Sequence, residues 1–317
     1  QVRRILDEPA VPQQVRVPGR LVTHVVVAEE RDHWQTFAEV FNPAYCSAAT
    51  ASQLLSHSEL SEPLHDEAVA AAGRNHAHQA DARQIIAARA CDELHPGAIV
   101  NLGIGLPEGI ANVASQRGLL ADVTLTVESG PIGGVPSGGL SFGTSSYPQA
   151  IIDQPSQFDF YDGGGLDFAA LGAAQVDQAG NVNVSRFGNR FAGVGGFVNI
   201  SQNARRLVFC GTFTTDGLAV SFHAGQVRIE REGRVSKFVK CVEQVSFSGP
   251  VARQAARDVI YVTERAVFRL HTDGIELIEV APGIDIERDI LGRMEFAPIV
   301  RTVRPMSIRV GTAPLTP

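Results

Sequence analysis

The hydrophobic positions of this chain follow two rhythms, one helical and one extended, and their order predicts an α/β fold. Asp81 opens the clearest helix, because Ala82, Ile85, Ile86, Ala90 and Leu94 share one face and Pro96-Gly97 ends it. Ala98 to Asn101 then reads as a strand, and Gly103 with Gly105 as a turn. Pro107 sits in the first turn of a second helix, with Ile110 and Val113 facing inward and Gly118 at its end. The β-branched run from Val123 to Val127 is a second buried strand. Strand, helix and strand in that order make a βαβ unit, and with it a parallel sheet begins.

Further along, LDFAALGAAQVDQAGNVNVSRFG reads as two strands joined at Asp177 to Gly180, and ARRLVFCGTF as another buried strand. From Gln226 the texture changes to hairpins. QVRIEREGRVSKFV is predicted to turn at Glu232-Gly233, and AVFRLHTDGIELIEV at Thr272-Asp273-Gly274, before a short terminal helix in APGIDIERDILGRM. The expected architecture is an open, mostly parallel αβα sheet from Asp81 to about Phe213, with appended antiparallel strands. Before it, Val15 to Val27 has the content of one or two strands broken at Pro18-Gly19, with no local partner. Cys46 to Gln79 lacks apolar periodicity and reads as a linker. Its His76-x-His78 pair is the one candidate metal-binding spacing, and incidental histidines in an exposed linker are the plainer reading, so no metal is expected.

Composition narrows the function. The chain has 317 residues, 44% hydrophobic and 19% charged, with a net charge of −7 and no Lys/Arg cluster, which argues against nucleic acid and anionic membrane as partners. Cys46, Cys91, Cys210 and Cys241 show no short paired spacing, so reduced thiols and a cytoplasmic setting are expected. No apolar run approaches the roughly 18 to 20 residues that span a bilayer.

The candidate chemistry lies between Val123 and Gly165. The strand Val123 to Val127 delivers one carboxylate, Glu128, into a segment dense in glycine: Gly130, Gly133, Gly134, Gly138, Gly139 and Gly143. Close approach of backbone to a ligand, or left-handed geometry, accounts for such density better than a mobile loop, since Ile132, Val135, Leu140 and Phe142 are threaded through it. Gly103, Gly105 and Gly109, with Glu128 after the next strand, come close to a dinucleotide fingerprint, so a nicotinamide-dependent dehydrogenase is one reading. The glycines are as readily explained by tight strand-to-helix packing. A second turn, RFAGVGGFVNIS, carries Gly193, Gly195 and Gly196, whose N–H groups can receive developing negative charge. A carboxylate with a backbone oxyanion hole suits acyl transfer, since a carboxylate attacks a thioester without a general base.

Together VESGPIGGVPSGGLSFG, QFDFYDGGGLDFAALG, GVGGF, NLGIGLP, EVAPGIDIERDIL and MEFAP resemble the family I coenzyme A transferases, and among them the fused-chain acetate and propionate enzymes. The resemblance runs from about Val15 nearly to the C terminus. It implies the open αβα fold of that family and places its glutamate nucleophile, which carries CoA as a glutamyl thioester, at Glu128 of Glu128-Ser129-Gly130. It likewise implies an oxyanion hole at Gly195 and Gly196, and a CoA and substrate site lined by Gly103, Gly105, Gly130 and Gly193. Residues 1–45 are then expected to be the end of an α-type half, 46–79 a linker, and 80–317 the β-type catalytic domain. The expected activity is reversible, ping-pong transfer of coenzyme A between a short acyl-CoA and a free carboxylic acid, with coenzyme A as substrate and no permanently bound cofactor. The α-type half, as a separate chain or the rest of the polypeptide, is the expected partner, in a homo-oligomer. An acyl-CoA hydrolase and an acyl-CoA-binding sensor share the fold and remain alternatives.

Overall fold

The computed structural model describes residues 2–8, 10–29, 31, 41–47 and 81–310. They belong to two compact units, Gln1–Asn42 and Pro43–Pro317. The expected linker, with its His76-x-His78 pair, lies outside the described residues from residue 48 to residue 80.

In the first unit the strands expected between Val15 and Val27 are not formed. The described residues make tight helical turns at Pro12–Gln14 and Gly19–Leu21 and an isolated parallel bridge between Val2 and Val27. A β-branched run needs a neighbouring strand to bond its backbone, and among the described residues only Val2 bridges to it. Val17, Leu21, Val25, Val26 and Val27 are left exposed.

Among the described residues of the second unit, which include a single tight helical turn at Pro43–Tyr45, the first α-helix is α1, Ala82–Cys91. Its N terminus carries a reciprocal capping box: the Asp81 carboxylate accepts from the Gln84 N–H at 2.9 Å, and the Gln84 side chain accepts from the Asp81 N–H at 3.0 Å. Asp81→Ala is expected to cost about 1 kcal/mol of stability, read as a lowered urea midpoint with unchanged slope. Next come β1, Ile99–Leu102, α2, Gly109–Gln116, and β2, Thr124–Thr126, with β1 and β2 parallel. Gly109 is where the two helices touch, since a methyl group there would lie 3.1 Å from Ala87 Cβ.

The glycine-rich segment is folded. It contributes the short antiparallel strands β3, Pro131–Ile132, and β4, Ala150–Ile151, and a side hairpin pairing Val135–Pro136 with Ser145–Ser146. Helix α3, Gln154–Asp162, leads to β5, Phe168–Gly172, and α4, Phe197–Asn203, leads to β6, Arg206–Cys210. After an excursion the chain returns through α5, Gly249–Gln254, to β7, Asp258–Val262, β8, Ala266–His271, β9, Gly274–Val280, and β10, Ile299–Pro305.

These strands form one sheet in the order β10-β9-β8-β7-β6-β5-β1-β2-β3-β4. Pairing is parallel from β7 through β6, β5 and β1 to β2, and antiparallel among β7, β8 and β9. The parallel part therefore extends beyond Phe213 to Val262. Both faces of the centre are buried: Val208 and Cys210 of β6 pack with Ile85, Ile86 and Ile110, while Leu207 and Phe209 pack with Tyr161, Phe197 and Ile200. The hairpin at Thr272 to Gly274 forms as expected. The one expected at Glu232-Gly233 does not. Gln226–Arg231 pairs backward with Ala219–His223 through a turn at Ala224-Gly225, and Val235–Ser236 pairs with Thr214–Thr215. No helix among the described residues is long and apolar enough to cross a membrane.

Leaving β1, the chain first builds β2 on one side and later returns to build β5 on the other. The carboxyl ends of β1, β2 and β5 therefore flank the point where the winding reverses, the usual place for a ligand in an open α/β sheet.

Candidate active site

Glu128 stands at that edge, two residues beyond the last residue of β2. Val127 and Gly130 close a tight turn, with the Gly130 N–H donating to Val127 O at 3.0 Å. Gly130 has φ +129°, and a Cβ there would lie 1.9 Å from Ile152 O. Only glycine fits, and the turn is thereby locked so that residue 128 projects from the sheet edge. Asn101 of β1 is in register with Thr126 of β2, so Gly103 and Glu128 run side by side past the strand ends.

The turn Gly193 to Gly196 approaches from the other side. A Cβ on Gly196 would lie 3.2 Å from Glu128 Cγ and 3.0 Å from Phe158 Cζ, so the glycine backbone rests against the glutamate side chain. Gly193 and Gly195 take left-handed φ values of +80° and +53°, and Gly196 caps α4. The Gly195 and Gly196 N–H groups donate to no acceptor among the described residues, whereas the Phe197 N–H donates to Val194 O. Two free amide donors beside a carboxylate make an arrangement suited to an oxyanion formed at that carboxylate.

The remaining glycines differ in role. At Gly103 a Cβ would meet Leu171 Cδ2 at 3.1 Å, so close strand packing accounts for it. Gly105 has φ +91°, lies in open space and donates its N–H to Glu108 Oε1 at 2.8 Å. Gly193 is likewise open and exposed. Among the candidate site glycines, Gly105, Gly193 and Gly195 thus leave room for a ligand beside their backbone. With Gly103 and Gly109 accounted for by packing, the dinucleotide reading loses its motif.

Sequence reasoning missed what lies beneath Glu128. Asn101, Thr126, Gln157 and Tyr161 are all buried and bonded together. The Tyr161 hydroxyl donates to Thr126 Oγ1 at 2.9 Å and accepts from Gln157 Nε2 at 3.0 Å, and Thr126 Oγ1 donates to Val100 O at 2.9 Å. Asn101 Nδ2 faces the Thr126 carbonyl and Tyr161 hydroxyl at 3.4 and 3.5 Å. Asn101 Oδ1 and Gln157 Oε1 are buried without a partner among the described residues, which is costly and typical of a site rather than of a core. Gln157 and Tyr161, one helical turn apart in QFDFYD, were the available signal.

Glu128 is partly buried and has no cationic partner among the described residues. Burial raises its pKa above the usual 4.5, opposed by its own backbone N–H and by the Asn101 amide. Burial also raises the pKa of the Tyr161 phenol, keeping it a hydrogen-bond donor. A raised carboxylate pKa has a definite consequence. In acid the group is neutral whether the chain is folded or unfolded, but above its folded-state pKa the folded protein holds a charge that burial disfavours. Glu128→Gln is therefore expected to raise the melting temperature at neutral pH and leave it unchanged below pH 4.5, measured by thermal unfolding across pH.

No protein-family model matches the chain. Its sequence is 40% identical over 301 residues to the acetate CoA-transferase YdiF of Escherichia coli K12, covering 95% of this chain and 53% of that protein. It is 31% identical over 217 residues to the acetate CoA-transferase subunit beta of the same organism, covering 65% of this chain and 88% of that subunit. The fold superposes with TM-score 0.71 on the crystal structure of the acyl-CoA transferase YdiF of E. coli O157:H7 in a thioester complex with CoA. The two are 36% identical, over 95% of this chain and 52% of that one. The chain spans about half the length of these YdiF relatives.

Proposed function

This chain belongs to the family I coenzyme A transferases, and from that premise we propose that it is the β-type half of an enzyme that moves coenzyme A between a short acyl-CoA and a free carboxylic acid. Glu128 attacks the thioester carbonyl, and the tetrahedral oxyanion is held by the Gly195 and Gly196 N–H groups. Expulsion of the CoA thiolate leaves a mixed anhydride, which the thiolate reopens at the glutamyl carbonyl, releasing the first acid. The glutamyl-CoA thioester then passes CoA to the second acid by the reverse sequence, which gives ping-pong kinetics. Asn101, steadied by Tyr161 and Gln157, orients the carboxylate. Acetate and propionate are the proposed acids, and an α-type half, on a separate chain or on the same polypeptide, the proposed partner completing the acyl pocket. The exposed Val15 to Val27 segment is proposed to pair with strands of that half.

The observation that carries this reading is the contact of the Gly196 backbone with the Glu128 side chain, with two amide donors free beside an unpaired carboxylate. A site that only bound acyl-CoA would gain nothing from such a carboxylate. Mixing the protein and its α-type half with acetyl-CoA and propionate, without nicotinamide, tests it. Propionyl-CoA is the expected product. Free CoA alone would indicate a hydrolase, and tight acyl-CoA binding with no exchange a sensor.

A further inference from the structure

Coenzyme A is strongly anionic at its 3′-phosphoadenosine diphosphate end, and this chain carries a net charge of −7. The shortage of cations is most severe in the segment of sequence that carries Glu128. Between Arg117 and Arg186 there is no lysine, arginine or histidine, while the same stretch holds seven acidic residues: Asp122, Glu128, Asp153, Asp159, Asp162, Asp167 and Asp177. The first cations after Glu128 are Arg186 and Arg190.

Both stand on a small antiparallel hairpin, Arg186–Phe187 against Arg190–Phe191, that leads directly into the Gly193 to Gly196 turn. Gly188, at φ +56°, makes the tight connection. The hairpin is held at both ends. Its tip is tied by the Gly188 N–H to Glu243 Oε2 at 2.6 Å, and its base by the Asn183 side chain to Arg186 O at 2.7 Å and by the Ala192 N–H to Ser185 O at 2.9 Å. The Arg186 guanidinium lies 5.1 Å from the centre of the Phe191 ring, which is 75% exposed. Neither Arg186 nor Arg190 meets a carboxylate within ion-pair distance among the described residues, whereas Arg205, Arg206 and Arg234 do. An exposed aromatic ring under an unpaired guanidinium, on a braced hairpin, presents stacking and charge together. Arg190 precedes Gly196 by six residues, so it lies within about 20 Å of the Gly196 backbone that rests on Glu128, a gap the pantetheine arm can bridge.

We propose that the Arg186 to Phe191 hairpin anchors the 3′-phosphoadenosine diphosphate end of coenzyme A, with Arg186 and Arg190 meeting its phosphates and Phe191 its adenine. This rests on the transferase reading and deepens it. Val194, exposed between the hairpin and Gly196, gives the pantetheine arm an apolar surface on its way to Glu128.

The test compares acetyl-CoA, acetyl-3′-dephospho-CoA and acetyl-pantetheine as donors to propionate, using the exchange-competent assembly. In the double variant R186A/R190A, KM for acetyl-CoA should rise roughly tenfold or more, since hydrogen bonds to charged groups are lost. Its kcat, its KM for propionate and its use of acetyl-pantetheine should stay as in the wild type, and R186K/R190K should restore part of the lost affinity. F191A should weaken both CoA donors equally. The hairpin is exposed, so an unchanged melting temperature is expected to accompany these effects. A KM for acetyl-CoA within twofold of the wild type in R186A/R190A overturns the assignment while leaving the transferase reading standing. So does an equal loss with acetyl-pantetheine, or a loss of assembly with the α-type half at unchanged affinity for adenosine 3′,5′-bisphosphate. A wild type that exchanges no CoA at all removes the transferase reading, and the hairpin assignment falls with it.

Discussion

Glu128→Gln is expected to lower CoA exchange by roughly a thousandfold or more while the protein stays folded. The amide keeps the size and shape of the carboxylate but has no anionic oxygen with which to attack a thioester, and removal of a covalent nucleophile ranks among the largest single losses an enzyme shows. The other nucleophilic groups described near it are poor substitutes. The Tyr161 hydroxyl is committed to Thr126 and Gln157, and Cys210 lies in the core with its thiol pKa pushed up to about 12 by burial. Glu128→Asp should also fail, by about a hundredfold, because one methylene fewer withdraws the attacking oxygen by about 1 Å from the carbonyl it must reach. Initial rates of propionyl-CoA formation measure both. The expected order is wild type, then Asp, then Gln.

Gly130→Ala is expected to damage stability and activity together. Its Cβ would sit 1.9 Å from Ile152 O, and φ +129° is a conformation that L residues rarely adopt. Neither the carbonyl nor the turn can yield cheaply, because Ile152 N–H donates back to Gly130 O at 3.1 Å. Strain and overpacking together should cost about 3 kcal/mol or more, and any relaxation displaces residue 128, two positions away. Gly172→Ala is the control: nothing lies within 4 Å of the added methyl, its φ is ordinary, and little change is expected. Urea unfolding and exchange rates on both variants separate a local packing effect from a general intolerance of alanine.

Much of the site was legible because its signals are local. A β-branched run ending in a glutamate, a glycine turn between strand and helix, and GVGGF are each contained in a few residues, and the Gly196 backbone rests against the Glu128 side chain. What the sequence left unread depends on neighbours distant along the chain. Gly109 answers to Ala87, Gly103 to Leu171 and Gly130 to Ile152, so no inspection of the motifs alone separates glycines that pack from glycines that leave room for a ligand. Asn101, Thr126, Gln157 and Tyr161 come from two strands and a helix, and only the fold shows that they share one buried network. The misread hairpin has a similar cause. Glu232-Gly233 looks like a turn, but Gly233 is required there because a Cβ would lie 2.4 Å from Thr215 O, while the actual reversal uses Ala224 at φ +50° before Gly225. Val15 to Val27 read as strands because β-branched content is a real preference. The preference is expressed only when a partner strand is present.

The most direct test of the account is to find the covalent intermediate. The protein with its α-type half would be incubated with acetyl-CoA, treated with borohydride and digested, and its peptides mapped by mass. Glutamyl-CoA thioester chemistry predicts that borohydride inactivates the enzyme only after acyl-CoA has been added, and that the reduced side chain is Glu128. A modification on any other residue, or full exchange by Glu128→Gln, would contradict it.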